Sequence, residues 1–361
     1  MQTQSLSVGL GDRSYPIHIG QGILARIGKD LAEQPVGTRY AIISDDNVAP
    51  LYAEKLTASL TDAGISSELF TFTAGEEYKH SGTVTELARK LAAQGFDRGD
   101  AVIALGGGVV GDMAGFLASI YMRGIPFVQI PTTLLAQVDS SVGGKTGVDI
   151  PEGKNLIGTF YQPKAVYIDI DVLSTLPERE FRGGLAEVIK YGVIIDKPFF
   201  DFLREKREHI TSHDPQVLMQ TIKRCCEIKA DVVEKDEREG GLRRILNYGH
   251  TIGHAVEATS GYQLIHGLAV SIGMHKVTEL ALKAGYTQQT TLETLDELLV
   301  AYNLPLEIPA EMDRDTIKGY LKTDKKTVGG QIFFVLPEEI GKVIITDKVE
   351  SNDIDHVLHK G

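Results

Sequence analysis

The segment Ala101-Val-Ile-Ala-Leu-Gly-Gly-Gly-Val-Val-Gly-Asp112 reads as a short apolar strand followed by a glycine turn that opens a helix over 108–121. Strand-like and helical segments alternate on both sides of it. The strand-like ones are 14–19, 39–43, 67–72 and 126–130, and the helical ones are 47–63 and 81–94. Such alternation predicts a parallel sheet covered by helices, and ligands of such sheets usually bind beyond the carboxyl ends of the strands.

The turn itself formally matches the pattern G-x-G-x-x-G through Gly106, Gly108 and Gly111. Glycines let the backbone approach a phosphate closely, and the first turn of the following helix offers unpaired N–H groups to an anion. The acidic residue expected about 20 positions later is missing, since 126–136 contains none. The pattern alone therefore leaves two interpretations open: a dinucleotide site or a tight strand-to-helix turn.

Beyond about residue 173 the sequence becomes mainly helical. Helical periodicity covers 178–194, 198–209, 215–237, 250–259, 267–284, 289–302 and 313–322. Residues 331–346 are the exception and predict a hairpin around Pro337–Gly341. The predicted fold class is α/β, with a Rossmann-like nucleotide-binding domain over 1–172 and a mainly α-helical domain over 173–361.

The chain has 361 residues and carries 37 Lys and Arg against 49 Asp and Glu, a net charge of −12. That balance argues against nucleic acid or an anionic membrane as partner, but not against a small anionic ligand. The stretch 101–122 is interrupted by Asp112 and is not a membrane span, and no signal peptide is visible. Cys225 and Cys226 are adjacent, which excludes a disulfide framework and favours the cytoplasm.

Gly144-Lys145-Thr146 suggests a P-loop at first sight. The pattern requires glycine five residues before the Gly-Lys pair, where this chain has Asp139, so the P-loop interpretation fails. Lys145 nevertheless lies in a glycine-rich turn that could hold an ammonium group against an oxyanion. A solvated surface lysine is the alternative.

Histidines are concentrated near residue 260. His250 and His254 are one helical turn apart, and His266 stands at the predicted start of the next helix. Two imidazoles and one carboxylate with an open fourth position form a catalytic zinc arrangement. Either Glu257 or Glu187 could supply the carboxylate, and a set of structural histidines is the alternative.

Taken together, these segments resemble the 3-dehydroquinate synthase family of sugar-phosphate cyclases. The resemblance spans almost the whole chain, and its long central block is far more specific than a glycine motif. It is carried by 104–112, 123–147, 153–158, 183–192, 246–257, 266–267, 324–326 and 334–337. It implies a nucleotide-binding α/β domain, a helical domain and a site between them, in a cytoplasmic homodimer.

The resemblance also implies a role for individual residues. The implied metal ligands, usually of zinc and alternatively of cobalt, are Glu187, His250 and His266, while His254 contacts substrate. The implied NAD-binding positions are Asp45, Asn47, Glu76, Lys79, Gly107, Gly108, Gly111, Asp112, Thr132, Thr133, Lys145, Lys154 and Thr175. The implied substrate positions are Arg123, Asp139, Lys145, Lys154, Asn155, Lys190, Lys229, Arg243, Asn247, His254 and Lys326 or its neighbour Lys325.

The implied reaction converts 3-deoxy-D-arabino-heptulosonate 7-phosphate to 3-dehydroquinate and phosphate. It proceeds by transient oxidation with NAD, β-elimination of phosphate, re-reduction and intramolecular aldol closure. The implied catalytic residues are Lys145, Asn155, Lys190, Lys229, Arg243, Asn247 and His254. Arg123, Lys145, Asn155 and Lys190 are expected at the phosphate, and Lys229, Arg243 and His254 at the carboxylate.

Three alternatives stay open: a cyclase using sedoheptulose 7-phosphate, a metal-dependent polyol dehydrogenase, and a ligand-binding sensor. Two positions depart from the usual pattern of the family. Leu268 replaces a common Glu after His266-Gly267, and Asp149 replaces a common Asn. Leu268 is expected to loosen the surroundings of His266 and so to affect metal affinity.

Overall fold

The computed structural model describes residues 3–323, 327–328 and 331–359. The chain forms two compact units. The first comprises Met1–Leu176 with Lys229–Glu234, and the second comprises Pro177–Ile228 with Lys235–Gly361.

A seven-stranded sheet is the centre of the first unit as described. Its strands are Thr3–Val8 (β1), Tyr15–Gly20 (β2), Arg39–Asp45 (β3), Ser66–Phe72 (β4), Ala101–Gly106 (β5), Phe127–Pro131 (β6) and Ala165–Asp169 (β9). Their order is β1-β2-β9-β6-β5-β3-β4. All neighbours are parallel except β1 and β2, which are joined by a short connection rather than a helical crossover.

Helices cover both faces of this sheet. They are Ile27–Glu33 (α1), Ala49–Asp62 (α2), Ser81–Ala93 (α3) and Gly108–Ile120 (α4). Successive side chains of β5 point to opposite faces, so Val102 and Ala104 pack with α3 and α4, while Ile103 and Leu105 pack with α1 and α2. The predicted α/β architecture with a Rossmann-like sheet is therefore confirmed.

The segment after β6 differs from its sequence-based interpretation. Lys145, which was predicted to lie in a turn, begins strand β7 (Lys145–Ile150), which pairs in antiparallel fashion with β8 (Gly153–Phe160). The glycines at 143 and 144 form the turn just before it, with φ of 95° and 66°. Glycine content conceals the strand, because glycine is depleted in strands and lowers their predicted propensity.

The second half of the chain is mainly helical, as predicted. The helices are Glu178–Ile194 (α5), Lys197–Glu205 (α6), Arg207–Thr211 (α7), Pro215–Lys235 (α8), His250–Thr259 (α9), His266–Lys283 (α10), Gln289–Ala301 (α11), Arg314–Thr323 (α12) and Ser351–His359 (α13). The predicted single helix over 198–209 is in fact the two helices α6 and α7. Short strands Thr327–Val328 (β10) and Gln331–Ile332 (β11) precede the predicted hairpin, Phe334–Glu339 (β12) with Lys342–Thr346 (β13).

Glycines allow α5, α9 and α10 of the second unit to touch through their backbones. A Cβ atom at Gly267 would lie 2.0 Å from the carbonyl oxygen of Gly183, and one at Gly273 would lie 1.9 Å from that of Gly249. Real Cβ atoms do not approach backbone this closely, so larger residues would force the helices apart. This close packing brings the first turns of α9 and α10 beside the middle of α5.

Candidate functional site

The three helices place one carboxylate between two imidazoles. His250 is the first residue of α9, His266 is the first residue of α10, and Glu187 lies in the middle of α5. Oε1 of Glu187 lies 3.3 Å from Nε2 of His250 and 3.5 Å from Nε2 of His266. Glu187 is fully buried, so these three atoms meet in an environment with little water.

Hydrogen bonds at the outer ring nitrogens determine which tautomer each histidine takes. Nδ1 of His250 lies 3.0 Å from the carbonyl oxygen of Tyr248, and Nδ1 of His266 lies 3.2 Å from Oε2 of Glu257. Both partners only accept, so each Nδ1 carries a proton, and each ring in its neutral form directs the lone pair of Nε2 inward. Among the described residues, Oε1 of Glu187 accepts no hydrogen bond of good geometry. When both rings are neutral, three acceptors therefore face one another.

A divalent metal ion fits this arrangement. Ligand atoms set tetrahedrally about 2.0–2.1 Å from zinc lie roughly 3.3–3.4 Å apart. The two separations from Glu187 Oε1, 3.3 and 3.5 Å, agree with that spacing. Facing acceptors repel unless a proton or a metal ion lies between them, and the two separations, which match tetrahedral zinc, favour a metal ion.

The charges at this centre favour a cation as well. Burial raises the pKa of Glu187, but the nearby Lys190 and His250 outweigh it and hold the pKa well below the ordinary value of 4.5. Burial lowers the pKa of His266, but its contacts with the Glu187 and Glu257 carboxylates outweigh burial and raise the pKa to about 9. The ammonium group of Lys190, itself 1% exposed, contacts Oε2 of Glu187. A metal ion would displace the proton that His266 otherwise holds.

Glu257 and His254 both lie beside the ring of His266. Glu257 bonds the outer nitrogen of His266, so it orients a histidine and Glu187 supplies the central carboxylate. His254 lies beside both other rings, with centroids 5.3 Å from His250 and 5.5 Å from His266. One nitrogen from each of the three histidines falls within 4.8 Å of the others. The assignment of His254 to substrate therefore stays a prediction.

A short turn downstream of α8 holds Arg243 and Asn247. Asp236 accepts hydrogen bonds from the backbone N–H groups of Gly240, Gly241 and Arg243 at 2.8–2.9 Å. The guanidinium group of Arg243, 1% exposed, donates to the carbonyl oxygen of Glu237. The sequence did not predict a role for Asp236 or Glu237 in this turn. The run Asp236-Glu-Arg-Glu-Gly-Gly241, an acidic segment ending in two glycines, is the signal that could have indicated such a turn.

Asn247 is held by the same loop through a side-chain contact. Its Nδ2 donates to Oε1 of Glu239 at 2.8 Å. Glu239 has φ of 60°, a left-handed conformation that is uncommon for a residue with a side chain and that often marks a functional loop.

In the first unit, the predicted nucleotide-binding residues gather where the strand order reverses. The chain leaves β3 toward β4 on one side and later returns to β5 on the other side of β3. Asp45 ends β3, Gly106 ends β5 and Thr132 follows β6, so all three lie at the carboxyl edge of the sheet. Open α/β sheets bind their ligands at such a switch point.

The glycine turn at this edge has room for backbone only. A Cβ atom at Gly107 would come 3.0 Å from the side chain of Thr133, and one at Gly111 would come 2.9 Å from Oε1 of Gln129. Gly107 directly precedes α4, whose first N–H groups point toward the turn. The buried hydroxyl of Thr132 has no hydrogen-bond partner among the described residues. These features fit an anionic ligand such as a dinucleotide phosphate.

Lys79 joins several of the predicted residues. Its ammonium group bonds Oδ2 of Asp112 at 2.6 Å and Oδ1 of Asn155 at 2.7 Å, and lies 3.8 Å from Glu76. Lys154 lies 3.3 Å from the same Glu76 oxygen. Burial lowers the pKa of Lys79, but the Asp112 and Glu76 carboxylates outweigh it and raise the pKa, so the lysine stays charged.

Other predicted residues of the first unit have local partners. Lys229 bonds Oδ1 of Asp139 at 2.8 Å. Oδ1 of Asp45 accepts from the backbone N–H of Asn47 at 3.0 Å, and the hydroxyl of Thr175 contacts that of Tyr52. The remaining predicted residues do not share one feature. Gly108 begins α4, Lys145 is exposed, Arg123 has a left-handed φ of 69°, and Lys325 and Lys326 lie outside the described residues.

Known structures define the class to which this fold and site belong. A 2-deoxy-scyllo-inosose synthase complexed with carbaglucose-6-phosphate, NAD+ and Co2+ is 28% identical, with a TM-score of 0.91 over 99% of this chain and 100% of that one. The 2-epi-5-epi-valiolone synthase of Streptomyces hygroscopicus subsp. jinggangensis 5008, with NAD+ and Zn2+ bound, is 30% identical, with a TM-score of 0.89 over 97% of both chains. The fold is that of the sugar-phosphate cyclases.

Sequence comparisons identify the family within that class. Family models match residues 69–183 as 3-dehydroquinate synthase N-terminal and 184–327 as 3-dehydroquinate synthase C-terminal. The 3-dehydroquinate synthase of Thermodesulfovibrio yellowstonii is 49% identical over 99% of this chain and 100% of the relative. That of Desulforamulus reducens is 50% identical over 98% and 99%. The chain belongs to the 3-dehydroquinate synthase family.

An iron-containing alcohol dehydrogenase shares the fold at 16% identity and a TM-score of 0.66 over 95% of this chain, a similarity in fold alone.

Across the described residues, none of the helices combines the length and the apolar character that crossing a bilayer requires.

Proposed function

We propose that this chain converts 3-deoxy-D-arabino-heptulosonate 7-phosphate to 3-dehydroquinate and phosphate, and acts as a carbon–oxygen lyase. The observation that carries the proposal is the convergence of Glu187, His250 and His266 as three facing acceptors. Family membership over nearly the full chain supports this choice among the reactions of related cyclases.

The proposed cofactors are NAD at the switch point of the first unit and zinc or cobalt at the three facing ligands. When bound, NAD takes up and returns a hydride, and the metal ion polarises an oxygen of the substrate. Glu187 would serve as an ionised ligand, since Lys190 and His250 keep its pKa low. Glu257 would hold His266 in the tautomer that leaves Nε2 available.

Buried cations support an anionic substrate. Lys79, Lys190 and Lys229 are at most 5% exposed, and each contacts a carboxylate of the protein. Burying an ammonium group costs free energy even when a carboxylate pairs with it, so these three buried lysines in a chain of net charge −12 support a role in binding anionic ligands. We assign the phosphate to Arg123, Lys145, Asn155 and Lys190, with Lys154 close to the cofactor.

The carboxylate of the substrate is assigned to Lys229, Arg243 and His254, with Asn247 and Asp139 also at the substrate. The loop contacts of Arg243 orient its guanidinium group before any substrate arrives. Preorganised guanidinium groups bind carboxylates through two parallel hydrogen bonds. Lys326 is assigned to the same pocket from the resemblance.

A two-substrate assay tests the proposed function. We expect phosphate release from 3-deoxy-D-arabino-heptulosonate 7-phosphate with catalytic NAD+, and little release from sedoheptulose 7-phosphate, which lacks the carboxylate. Faster turnover of sedoheptulose 7-phosphate would reassign the chain to another cyclase. Steady accumulation of NADH would instead indicate a polyol dehydrogenase, and binding of substrate without turnover by the metal-loaded protein would indicate a sensor.

Replacing Arg243 by alanine tests the carboxylate assignment. We expect kcat/KM for the native substrate to fall roughly tenfold to 150-fold, because a charge-assisted pair contributes about 1.5–3 kcal/mol. Binding of a substrate analogue without the carboxylate should change little. Equal weakening of both ligands would refute the assignment, and metal content measured on the same sample controls for misfolding.

The assembly and location of the protein follow from the family resemblance. We propose a homodimer, and we propose that the protein works in the cytoplasm, where the two cysteines, both buried, stay reduced. Sedimentation of the metal-loaded protein at several concentrations measures the oligomeric state directly.

A further inference from the structure

We propose that Asp149 is a positioning residue that links the cofactor lysine Lys79 to the substrate residue Asn155. The inference rests on the proposed function, because it takes the roles of Lys79 and Asn155 from it. Asp149 stands near the end of β7.

Two hydrogen bonds connect Asp149 to both partners. Its backbone N–H donates to the carbonyl oxygen of Lys79 at 2.8 Å, and Oδ1 of its carboxylate accepts from the backbone N–H of Asn155 at 2.7 Å. The residue next to Lys79, His80, also forms a parallel β-bridge with Asp149. Asp149 therefore fixes the backbone on both sides of the contact between the Lys79 ammonium and Asn155 Oδ1.

Asn155 needs such support because of its backbone conformation. Its φ is 53°, in the left-handed region that costs free energy for residues other than glycine. Asn155 is exposed and lies just beyond the turn between β7 and β8. The carboxylate of Asp149 closes this turn and so selects the conformation in which the Asn155 side chain reaches Lys79.

The geometry points to the acceptor oxygen of Asp149 rather than to its charge. An asparagine at 149 would offer the same Oδ1 acceptor to the Asn155 N–H without the charge. The charged groups around Asp149 are Lys79, Lys154 and Glu76, two cations and one anion. Burial is the largest influence on Asp149 and raises its pKa, so its surroundings do not favour the charge.

Three variants separate these roles. We expect Asp149→Ala to lower kcat/KM roughly tenfold or more and to weaken NADH binding several-fold, measured by the fluorescence of NADH. We expect Asp149→Asn to stay within about threefold of the native protein in both measurements. Asp97→Ala, which also removes a carboxylate-to-backbone hydrogen bond in a turn, is the matched control and should leave both unchanged.

A double-mutant cycle keeps the inference testable if Asp149→Ala is unstable. Glycine adopts a left-handed φ freely, so Asp149→Ala should add little further loss of NADH affinity in the Asn155→Gly background. Full additivity of the two losses would overturn the inference, as would Asp149→Asn being as impaired as Asp149→Ala. NADH binding requires no turnover, so this arm remains informative even if the substrate of the proposed function is wrong.

Discussion

Replacing Glu187 by glutamine is expected to remove the metal ion and to lower the turnover of the metal-supplemented enzyme about a thousandfold. The amide keeps the shape of the carboxylate but loses the negative charge that faces Nε2 of His250 and of His266. Metal ions contribute several kcal/mol to transition-state stabilisation, and about 4 kcal/mol corresponds to a thousandfold in rate. Metal content by mass spectrometry and phosphate release on the same sample measure both effects.

His254→Ala is the matched control, because His254 lies beside the same rings. If Glu187, His250 and His266 are the ligands, this variant keeps its metal and loses only affinity or turnover for substrate. The opposite pattern, metal retained by Glu187→Gln and lost by His254→Ala, would establish the set of three histidines that the 4.8 Å cluster also permits. The pair of variants therefore decides between the two ligand sets.

The second large effect is expected from Gly267→Ala. The new Cβ atom would lie 2.0 Å from the Gly183 carbonyl oxygen, so α5 and α10 must separate. We expect the free energy of unfolding to fall by roughly 2–4 kcal/mol. The metal content should fall with it, since Glu187 lies on α5 and His266 begins α10. Thermal unfolding and metal analysis give the two measurements.

Gly319→Ala provides the comparison within the same unit. Gly319 lies in helix α12, and a Cβ atom there would meet nothing within 4 Å. Alanine has the higher helix propensity, so this variant should be neutral or stabilised by up to about 1 kcal/mol. Equal behaviour of the two variants would show that the contact between Gly267 and Gly183 does not hold the helices together.

The sequence predicts best where a local pattern carries the signal. The β5 strand with its glycine turn, and the spacing of His250 and His254, are patterns of a few neighbouring residues, and the predicted fold class is confirmed. Strand β7 was missed because Gly147 within it, and Gly143 and Gly144 just before it, weaken the strand signal. Asp236 was missed because a carboxylate that organises a turn looks like any solvated acidic residue.

Contacts between residues that are distant in the sequence are harder to predict. Spacing alone left both Glu187 and Glu257 as candidates for the central carboxylate. Glu257 shares a helix with His250, whereas Glu187 is distant in the sequence and lies on another helix. Helix packing decides where each carboxylate points, and no local pattern encodes that packing. The individual site roles that came from the resemblance remain predictions until variants are measured.

The two histidines at the centre are held in unequal ways. A main-chain carbonyl, that of Tyr248, fixes His250, and no substitution of a side chain removes a carbonyl. The carboxylate of Glu257 fixes His266. A carboxylate raises the basicity of the imidazole Nε2 as a metal ligand more than an amide oxygen does. Changes at position 257 are therefore a direct way to adjust electron density at the centre, whereas the His250 side is set by the backbone. Variants of Glu257 are therefore the first to make when a different metal preference is sought.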